Sequence, residues 1–423
     1  MNKETIPEAR VWLISGEIMS QLGGGHRQQR WCEFFLNRGM PVFIFFARGL
    51  RTVTLAEAKT SAMLRQMRTK WIEESPPQAG VRTGAVAKGG RWLKHLFLVD
   101  LFLPSQWILY RHLARHIDAK QNRVALLCSS PPFGLALVCA LIKWRYGNRV
   151  LFSLDMRDLW SLHTAHPGPK WHKKAIERWV LKQVDLLTTV SDGLSRRFFE
   201  TFGAQALVAY NVATHVEGGG ASGEGFSWSK LNPLLTESTF KFVYTGSLPH
   251  GYYDLESFAS ALQQAQPHLQ GKQFVFVGAC EELRAFANEL SLPPELLVFV
   301  DQVDISTVQQ IQRAADVLIF FGFVSADNQG QVSIKLFEYM RHRKPILALN
   351  IKQNSDVDLL LKIYCGRGCF LTLPVEIADT LSLSPENCIA NLPVPNNGDA
   401  DAALLEPYAA AVQTIMDKLD TGV

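Results

Sequence analysis

The residues best placed for chemistry lie in 329–350, QGQVSIKLFEYMRHRKPILALN. A loop containing Gly330 runs into a helix that carries Lys335 and Glu338, followed by Pro345 and an apolar strand. A helix N-terminus presents free N–H groups and the positive end of the helix dipole to an anion. Lys335 adds a mobile point charge suited to a diphosphate. Glu338 lies three residues further on, on the same helical face, where a carboxylate can accept from both hydroxyls of a ribose. The same spacing also suits a Lys–Glu pair on a solvated helix. A second constellation is FSLDMRDLWSLH (152–163), a strand end holding Asp155, Arg157, Asp158 and His163. Asp158 is the candidate to orient an acceptor hydroxyl or take its proton, and Arg157 to contact a sugar or phosphate. The alternative is a buried Asp–Arg ion pair tying the strand end to a helix. Three consecutive glycines, Gly23, Gly24 and Gly25, follow the first strand and are read as a loop; alone, they could be only a tight turn. No Walker loop, His-Glu-x-x-His or strand–Gly-x-Ser-x-Gly elbow occurs. The pairs Asp356/Asp358 and Asp399/Asp401 read as surface acids. Cys365 and Cys369 lack the second ligand pair that structural zinc wants. No metal site is expected.

These residues need elements to hold them. An apolar run at 10–16, a helix ending at Gly39 and a second run at 41–47 form a β-loop-α-β unit. Strands follow at 124–130, 150–156, 185–191 and 206–211, with helices at 133–146, 168–183 and 192–202. After a glycine-rich stretch at 216–238 the alternation restarts. It has strands at 240–247, 274–279, 296–301, 316–322 and 345–350, and helices at 253–266, 281–290, 306–314 and 332–342. The tail, 400–419, has helical apolar spacing despite Pro407. This grammar predicts an α/β fold of two Rossmann-like doubly wound domains facing a central cleft, with sites at the carboxyl ends of the strands. Residues 1–215 form the first domain and 216–403 the second, with a terminal helix, 404–423, able to pack back on the first.

Length and charge agree with two domains. The chain has 423 residues, 47% hydrophobic and 19% charged, which excludes disorder, collagen and a disulfide scaffold. Its net charge of +4 hides a split. Residues 1–215 carry 30 Lys/Arg against 15 Asp/Glu, and residues 216–423 carry 13 against 24. Such asymmetry points the first half toward phosphates or an anionic membrane face. The basic excess concentrates at 59–116, where Lys88, Arg91, Lys94, Arg111 and Arg115 interleave with Trp92, Trp107 and several Leu and Phe. That composition suits a helix pair lying on an anionic leaflet, an amphipathic insertion packing on its own sheet, or a basic aromatic patch for nucleic acid. The nucleic-acid reading is set aside because no helix-turn-helix, RRM or zinc pattern accompanies it. The N-terminus lacks an apolar signal core, and the runs at 41–47 and 133–142 fall short of the roughly 20 residues a spanning helix needs. Seven cysteines, an odd number, read as reduced thiols. The expected location is cytoplasmic, with peripheral attachment to the inner membrane face.

SIKLFEYM (333–340) followed by RHRKPILAL resembles the donor-site segment of GT-B glycosyltransferases, specifically family-4-like members that build bacterial surface polysaccharides. YTGSL (244–248), AADVLIFF (314–321), and SSPPFG (129–134) with MRDLW (156–160) resemble further segments of that family, so the resemblance spans roughly 10–350. It implies an enzyme moving a hexosyl or aminosugar group from a UDP- or GDP-linked donor, without resident cofactor or metal, to a lipid-linked or growing glycan, with retention. It implies that Lys335 holds the donor diphosphate, Glu338 the nucleotide ribose, and Gly246 and Ser247 the phosphates through backbone N–H groups. Gly23, Gly24 and Gly25, with the adjoining His26, would lie near the donor phosphates and the acceptor. Two departures stand out. The first glutamate of the family's Glu-x7-Glu pattern is Gly330 here, beside Gln331. The loop 246–254 lacks the usual arginine, leaving His250 as a substitute. Two other readings follow from these departures: a degenerate GT-B fold that binds sugar nucleotides or scaffolds without catalysis, and a GT-B nucleotide-sugar epimerase.

Overall fold

The computed structural model describes residues 9–16, 23–48, 52–73, 103–120, 122–161, 170–211, 226–324, 330, 332–369, 371–395 and 400–421. They fall into two compact units, Met1–Thr214 with Asp401–Val423, and His215–Ala400.

The first unit runs β1 (Val11–Ser15), α1 (Gly23–Leu36), β2 (Val42–Arg48), β3 (Thr52–Ala58), α2 (Ser61–Glu73), α3 (Leu103–Ala119), β4 (Val124–Ser130), α4 (Phe133–Tyr146), β5 (Val150–Met156), α5 (Lys170–Leu181), β6 (Leu186–Thr189), α6 (Asp192–Phe202) and β7 (Leu207–Val208). The second runs α7 (Trp228–Leu231), β8 (Phe240–Thr245), α8 (Leu255–Ala265), β9 (Lys272–Val277), α9 (Glu281–Glu289), β10 (Leu297–Val300), α10 (Ile305–Ala314), β11 (Val317–Phe321), α11 (Ile334–His342), β12 (Ile346–Leu349), α12 (Asp356–Cys365), α13 (Pro374–Ser382) and α14 (Pro385–Asn391). A final helix, α15 (Ala400–Thr421), belongs mostly to the first unit.

Both sheets follow from the residues. Every residue of β1, β4 and β5 is buried, as expected of parallel strands covered on both faces. The strand order is β3-β2-β1-β4-β5-β6-β7 in the first sheet and β10-β9-β8-β11-β12 in the second. Leu13 of β1 sits between Ile44 and Leu127 in register. The chain reverses its direction of travel between β1 and β4 and between β8 and β11. Those are the switch points, where loops part and ligands can enter.

Helix ends are set by local chemistry. Ser191, Asp254, Asp304, Ser333 and Ser355 each accept a backbone N–H of the helix they open. Gly203 and Gly366 close α6 and α12 in the left-handed conformation, which costs glycine little.

Three sequence expectations change. Thr52–Ala58 forms an antiparallel edge strand on β2 that the pattern did not suggest. The run at 206–211 pairs over only Leu207–Val208. The segment 59–116 is not a helix pair among its described residues: α2 packs on α1 and β3, whereas α3 packs on α4. Right-handed crossovers place α1 and α4 on opposite faces, because β1 to β2 and β4 to β5 travel in opposite directions across the sheet. Lys88, Arg91, Trp92 and Lys94 lie outside the described residues. Among the described residues no helix is long and apolar enough to cross a membrane.

Candidate functional site

At the switch point of the second sheet, β8 ends in Gly246. Its φ is +123°, a conformation that L side chains rarely adopt. Its N–H donates to the Val277 carbonyl at 2.7 Å. A Cβ here would stand 2.7 Å from Nζ of Lys335, so the glycine is what lets the lysine lie across the strand end. Gly278, at φ +113°, repeats the device at the end of β9, where a Cβ would meet the Gly246 carbonyl oxygen at 2.6 Å. Sequence reading missed Gly278, because nothing local distinguishes it from an ordinary strand-end glycine.

Lys335 occupies the first turn of α11, just after its Ser333 cap. Its Nζ lies 5.5 Å from the centre of the Tyr244 ring. Burial lowers its pKa, an effect that Glu338 and Cys280 only partly offset. Glu338, one turn on, is shifted the opposite way: burial raises its carboxyl against the pull of Lys335 and Arg341. The two are not within ion-pairing distance, and neither has another ionic partner among the described residues. A half-buried cation and a half-buried carboxylate are thus partly desolvated without the close contact that would repay it. This is the condition expected of groups awaiting a ligand.

A buried polar chain holds this corner. The Thr245 N–H donates to the Tyr339 hydroxyl at 3.1 Å, and Gln312 donates to the Thr245 hydroxyl at 2.7 Å. The Gln312 carbonyl faces His342 Nε2 at 2.9 Å. Burial, followed by Arg313, Arg341 and Lys344, pushes His342 down to about 4. A neutral imidazole then donates from Nε2 to Gln312. Tyr339, Gln312 and His342 looked like ordinary amphipathic-helix residues, so this support was not legible beforehand. Ser247 is exposed, and its carbonyl accepts from the Tyr244 hydroxyl at 2.9 Å. His250 does not stand in for the missing arginine: its side chain is 90% exposed and pairs with Glu282 at 2.9 Å.

The first unit places its residues differently. Gly23, Gly24 and Gly25 form the opening turn of α1 rather than a loop; the first N–H groups of a helix have no internal partner, so glycine costs less there. His26 follows them in the same helix. Arg157 donates from its backbone N–H to the Ser130 carbonyl at 3.0 Å and from its guanidinium to the Pro131 carbonyl at 2.6 Å. The segments SSPPFG and MRDLW therefore meet. Phe133 also stacks on Trp160, 5.7 Å between centroids. Asp158 sits half-buried in the bend beyond β5. The buried carboxylate is Asp155, whose oxygens take both ends of the Arg27 fork at 2.6 and 2.8 Å, with Ser129 and Thr188 each donating at 2.9 Å. Arg27 also reaches the Ala209 carbonyl and the Tyr408 hydroxyl of α15. The buried Asp–Arg pair at this strand end is thus Asp155–Arg27. His163 and Gln331 lie outside the described residues.

Asp356 and Asp358 are not surface acids. Both are buried in the first turn of α12, where Asp358 takes the Asn354 N–H at 2.7 Å and Lys362 Nζ at 2.8 Å. All seven cysteines are free and buried. Among the described residues, no group of three or more His, Cys, Asp or Glu is arranged to hold a metal ion.

No family model matches the sequence, and no curated protein matches it. Solved structures do. Sucrose-phosphate synthase from Thermosynechococcus elongatus aligns with a TM-score of 0.63 at 13% identity, over 98% of this chain and 100% of that one. HepE from Anabaena, in complex with UDP and glucose, aligns at 0.60 and 14%, over 97% and 99%. The lipopolysaccharide outer core galactosyltransferase WaaB, in its apo form, aligns at 0.53 and 14%, over 96% and 99%. The fold is GT-B. Of the GT-B site residues expected from the resemblance, Gly246, Ser247, Lys335 and Glu338 gather at one strand end in the second unit. Gly23, Gly24, Gly25, His26, Arg157 and Asp158 belong to the first.

Proposed function

We propose that this chain is a glycosyltransferase that moves a sugar from a nucleotide-sugar donor to a glycan acceptor, lipid-linked or growing. The observation that carries the reading is the half-buried Lys335, without an ionic partner among the described residues, lying across Gly246 at the N-terminus of α11. A donor diphosphate fits that position: Lys335 supplies a cation, and the first N–H groups of α11 supply donors. In the transfer step the bond between the sugar's anomeric carbon and the diphosphate oxygen breaks, and one between that carbon and the acceptor's hydroxyl oxygen forms. Lys335 stabilises the charge that develops on the leaving diphosphate, and such preorganised electrostatics are often the largest single catalytic contribution. Glu338 takes the ribose hydroxyls. On the acceptor side, Asp158 orients the acceptor hydroxyl, Arg157 contacts the acceptor sugar or a phosphate, and the first turn of α1, from Gly23 to His26, contacts the acceptor. In a retaining reaction the leaving phosphate can accept the acceptor's proton, so no separate protein base is required. The donor is UDP- or GDP-linked. UDP is favoured because HepE, of like fold, binds UDP and glucose. No resident cofactor or metal is invoked.

A second reading has a specific observation behind it. Gly330, at φ +89°, stands where the resemblance expects a sugar-contacting glutamate, which favours a protein that binds the nucleotide without turning it over. One experiment separates the two. Titrate UDP, GDP and their sugars by calorimetry, then follow donor hydrolysis and transfer. Binding with turnover, both lost in Lys335→Ala at an unchanged melting temperature, supports the transferase. Binding without turnover on any acceptor supports the second reading. Transfer that survives Lys335→Ala overturns the donor site.

A further inference from the structure

The first unit displays an unusual face. On one side of its sheet α3, α4 and α5 lie side by side, α3 against α4 and α4 against α5. Each carries one strongly exposed indole: Trp107 at 61%, Trp144 at 69% and Trp171 at 77%. Other tryptophans of this unit, Trp12, Trp31 and Trp160, are buried. The exposed ones are not loose ends. Trp107 stacks on Tyr110, 5.4 Å between centroids and 8° between planes, and the Tyr110 hydroxyl accepts from Arg145 at 3.2 Å. That bond ties the exposed ridge of α3 to the exposed end of α4, where Leu141 is also 38% exposed.

Charge follows the same helices. Together α3, α4 and α5 contain eight Lys/Arg and two Asp/Glu. Neither acid is free. Asp118 takes the Tyr146 hydroxyl, and buried Glu177 takes the N–H groups of Trp160 and Ser161. Lys173 is buried and Lys143 pairs with Asp185 at 2.8 Å, which leaves, among the described side chains, Arg111, Arg115, Arg145, Lys174 and Arg178 against one exposed carboxylate, Asp118.

We infer that the α3–α4–α5 face is a docking surface for an anionic lipid bilayer. Indoles prefer the headgroup level, where the ring is apolar and its N–H stays wet. Lys and Arg are drawn to anionic headgroups, with their stems along the apolar boundary. Neighbouring helices stand about 8–10 Å apart, so three of them spread the indoles over a broad face. An extended surface meets all three at once, where a groove-binding peptide or a nucleic-acid strand would meet one or two. The inference relocates the membrane contact expected from 59–116. It keeps α3, leaves out α2 on the opposite face, and adds α4 and α5. It does not depend on the transferase reading.

The test uses the full chain with vesicles of phosphatidylcholine alone and with added phosphatidylglycerol. Expected is binding to the anionic vesicles only, weakened by salt, with a blue shift of indole emission and quenching by brominated acyl chains. Trp107→Ala/Trp144→Ala/Trp171→Ala should lower the partition coefficient at least tenfold at an unchanged melting temperature, because the removed rings are exposed. Arg111→Glu/Arg145→Glu should lower it as well. Lys335→Ala should leave it as it was. An unchanged partition in the triple-tryptophan variant overturns the inference. So does equal binding to neutral vesicles, or retention on a soluble polyanion that matches retention on lipid and survives the triple variant. A monomer–dimer equilibrium abolished by that variant, without vesicle binding, would assign the face to a second copy.

Discussion

Two cations shielded from solvent, Arg27 fully and Lys335 in part, have opposite surroundings. Arg27 is saturated: it has Asp155 on its fork, the Ala209 carbonyl and Tyr408 hydroxyl on Nη1, and aromatic rings of Trp31 and Tyr408 at 5.9 and 5.2 Å. Burial alone would lower its pKa, but Asp155 and Tyr408 outweigh that and raise it. Lys335 is desolvated without such compensation, and its pKa falls. The contrast separates a cation that organises a fold from one that stays available to a ligand. Desolvation acts on both; satisfaction does not.

The largest expected effect comes from breaking the saturated site. Arg27→Ala leaves Asp155 buried and unpaired, and loss of one partner of such a pair costs about 3–5 kcal/mol. Urea unfolding should show that loss as a lower midpoint. If Arg27→Ala unfolds like the parent, the pair is not structural and the contrast collapses. Next is Gly246→Ala, which strains a φ of +123° and pushes Lys335 aside. Backbone strain of this kind costs on the order of 1–3 kcal/mol. Calorimetry should find nucleotide-diphosphate affinity reduced by about 100-fold, the equivalent of ~2.7 kcal/mol. Lys335→Met should lower affinity too but leave stability level or slightly raised, since it removes a desolvated charge. A marked fall in its melting temperature would place Lys335 with Arg27 rather than against it.

Acid sharpens the same comparison. Burial tends to raise the Asp155 carboxyl, but Arg27 and the bonds from Thr188 and Ser129 outweigh it, so its folded pKa lies below the unfolded one. Its stabilisation is fully present above the unfolded value of about 4 and is lost as pH falls toward the folded value. Glu338 works the other way. Its folded pKa is raised, so the folded state binds the extra proton and stability falls as pH rises from about 4 through the folded value. Stability–pH curves should therefore flatten at the acid end in Asp155→Asn and above it in Glu338→Gln. The smallest effect is expected of Tyr339→Phe, which removes the acceptor of the Thr245 N–H. It should cost about 1 kcal/mol, with a rise in donor KM larger than any change in kcat. Equal losses in both parameters would deny it a positioning role.

How much of this was legible depended on whether the signal was local. The bounds of α4 and α6 follow from Pro132 and Gly147, and from Ser191 and Gly203, residues whose chemistry ends or caps a helix wherever they occur. The shared helix face of Lys335 and Glu338 was also readable, because it is set by spacing within a few residues. β3 was not, since TVTLAEA has weak alternation and becomes a strand only by pairing with β2. That Asp155, rather than Asp158, would form the buried Asp–Arg pair was hidden for a related reason. Which carboxylate at a strand end turns inward is decided by its partner, and Arg27 lies 128 positions away. Gly278 matters only because the Gly246 carbonyl stands where its Cβ would be.

The placement of α15 bears on the order in which the molecule is made. Residues 215–400 are an insertion between two parts of the first unit. Tyr408, which packs 4.5 Å from the Trp31 ring and bonds to Arg27, leaves the ribosome after the whole five-stranded sheet. The unit begun first is therefore completed last. Through the intervening synthesis, Arg27 and Asp155 wait beneath an uncovered α1, with Trp31 and Phe34 open to water until the last helix closes over them.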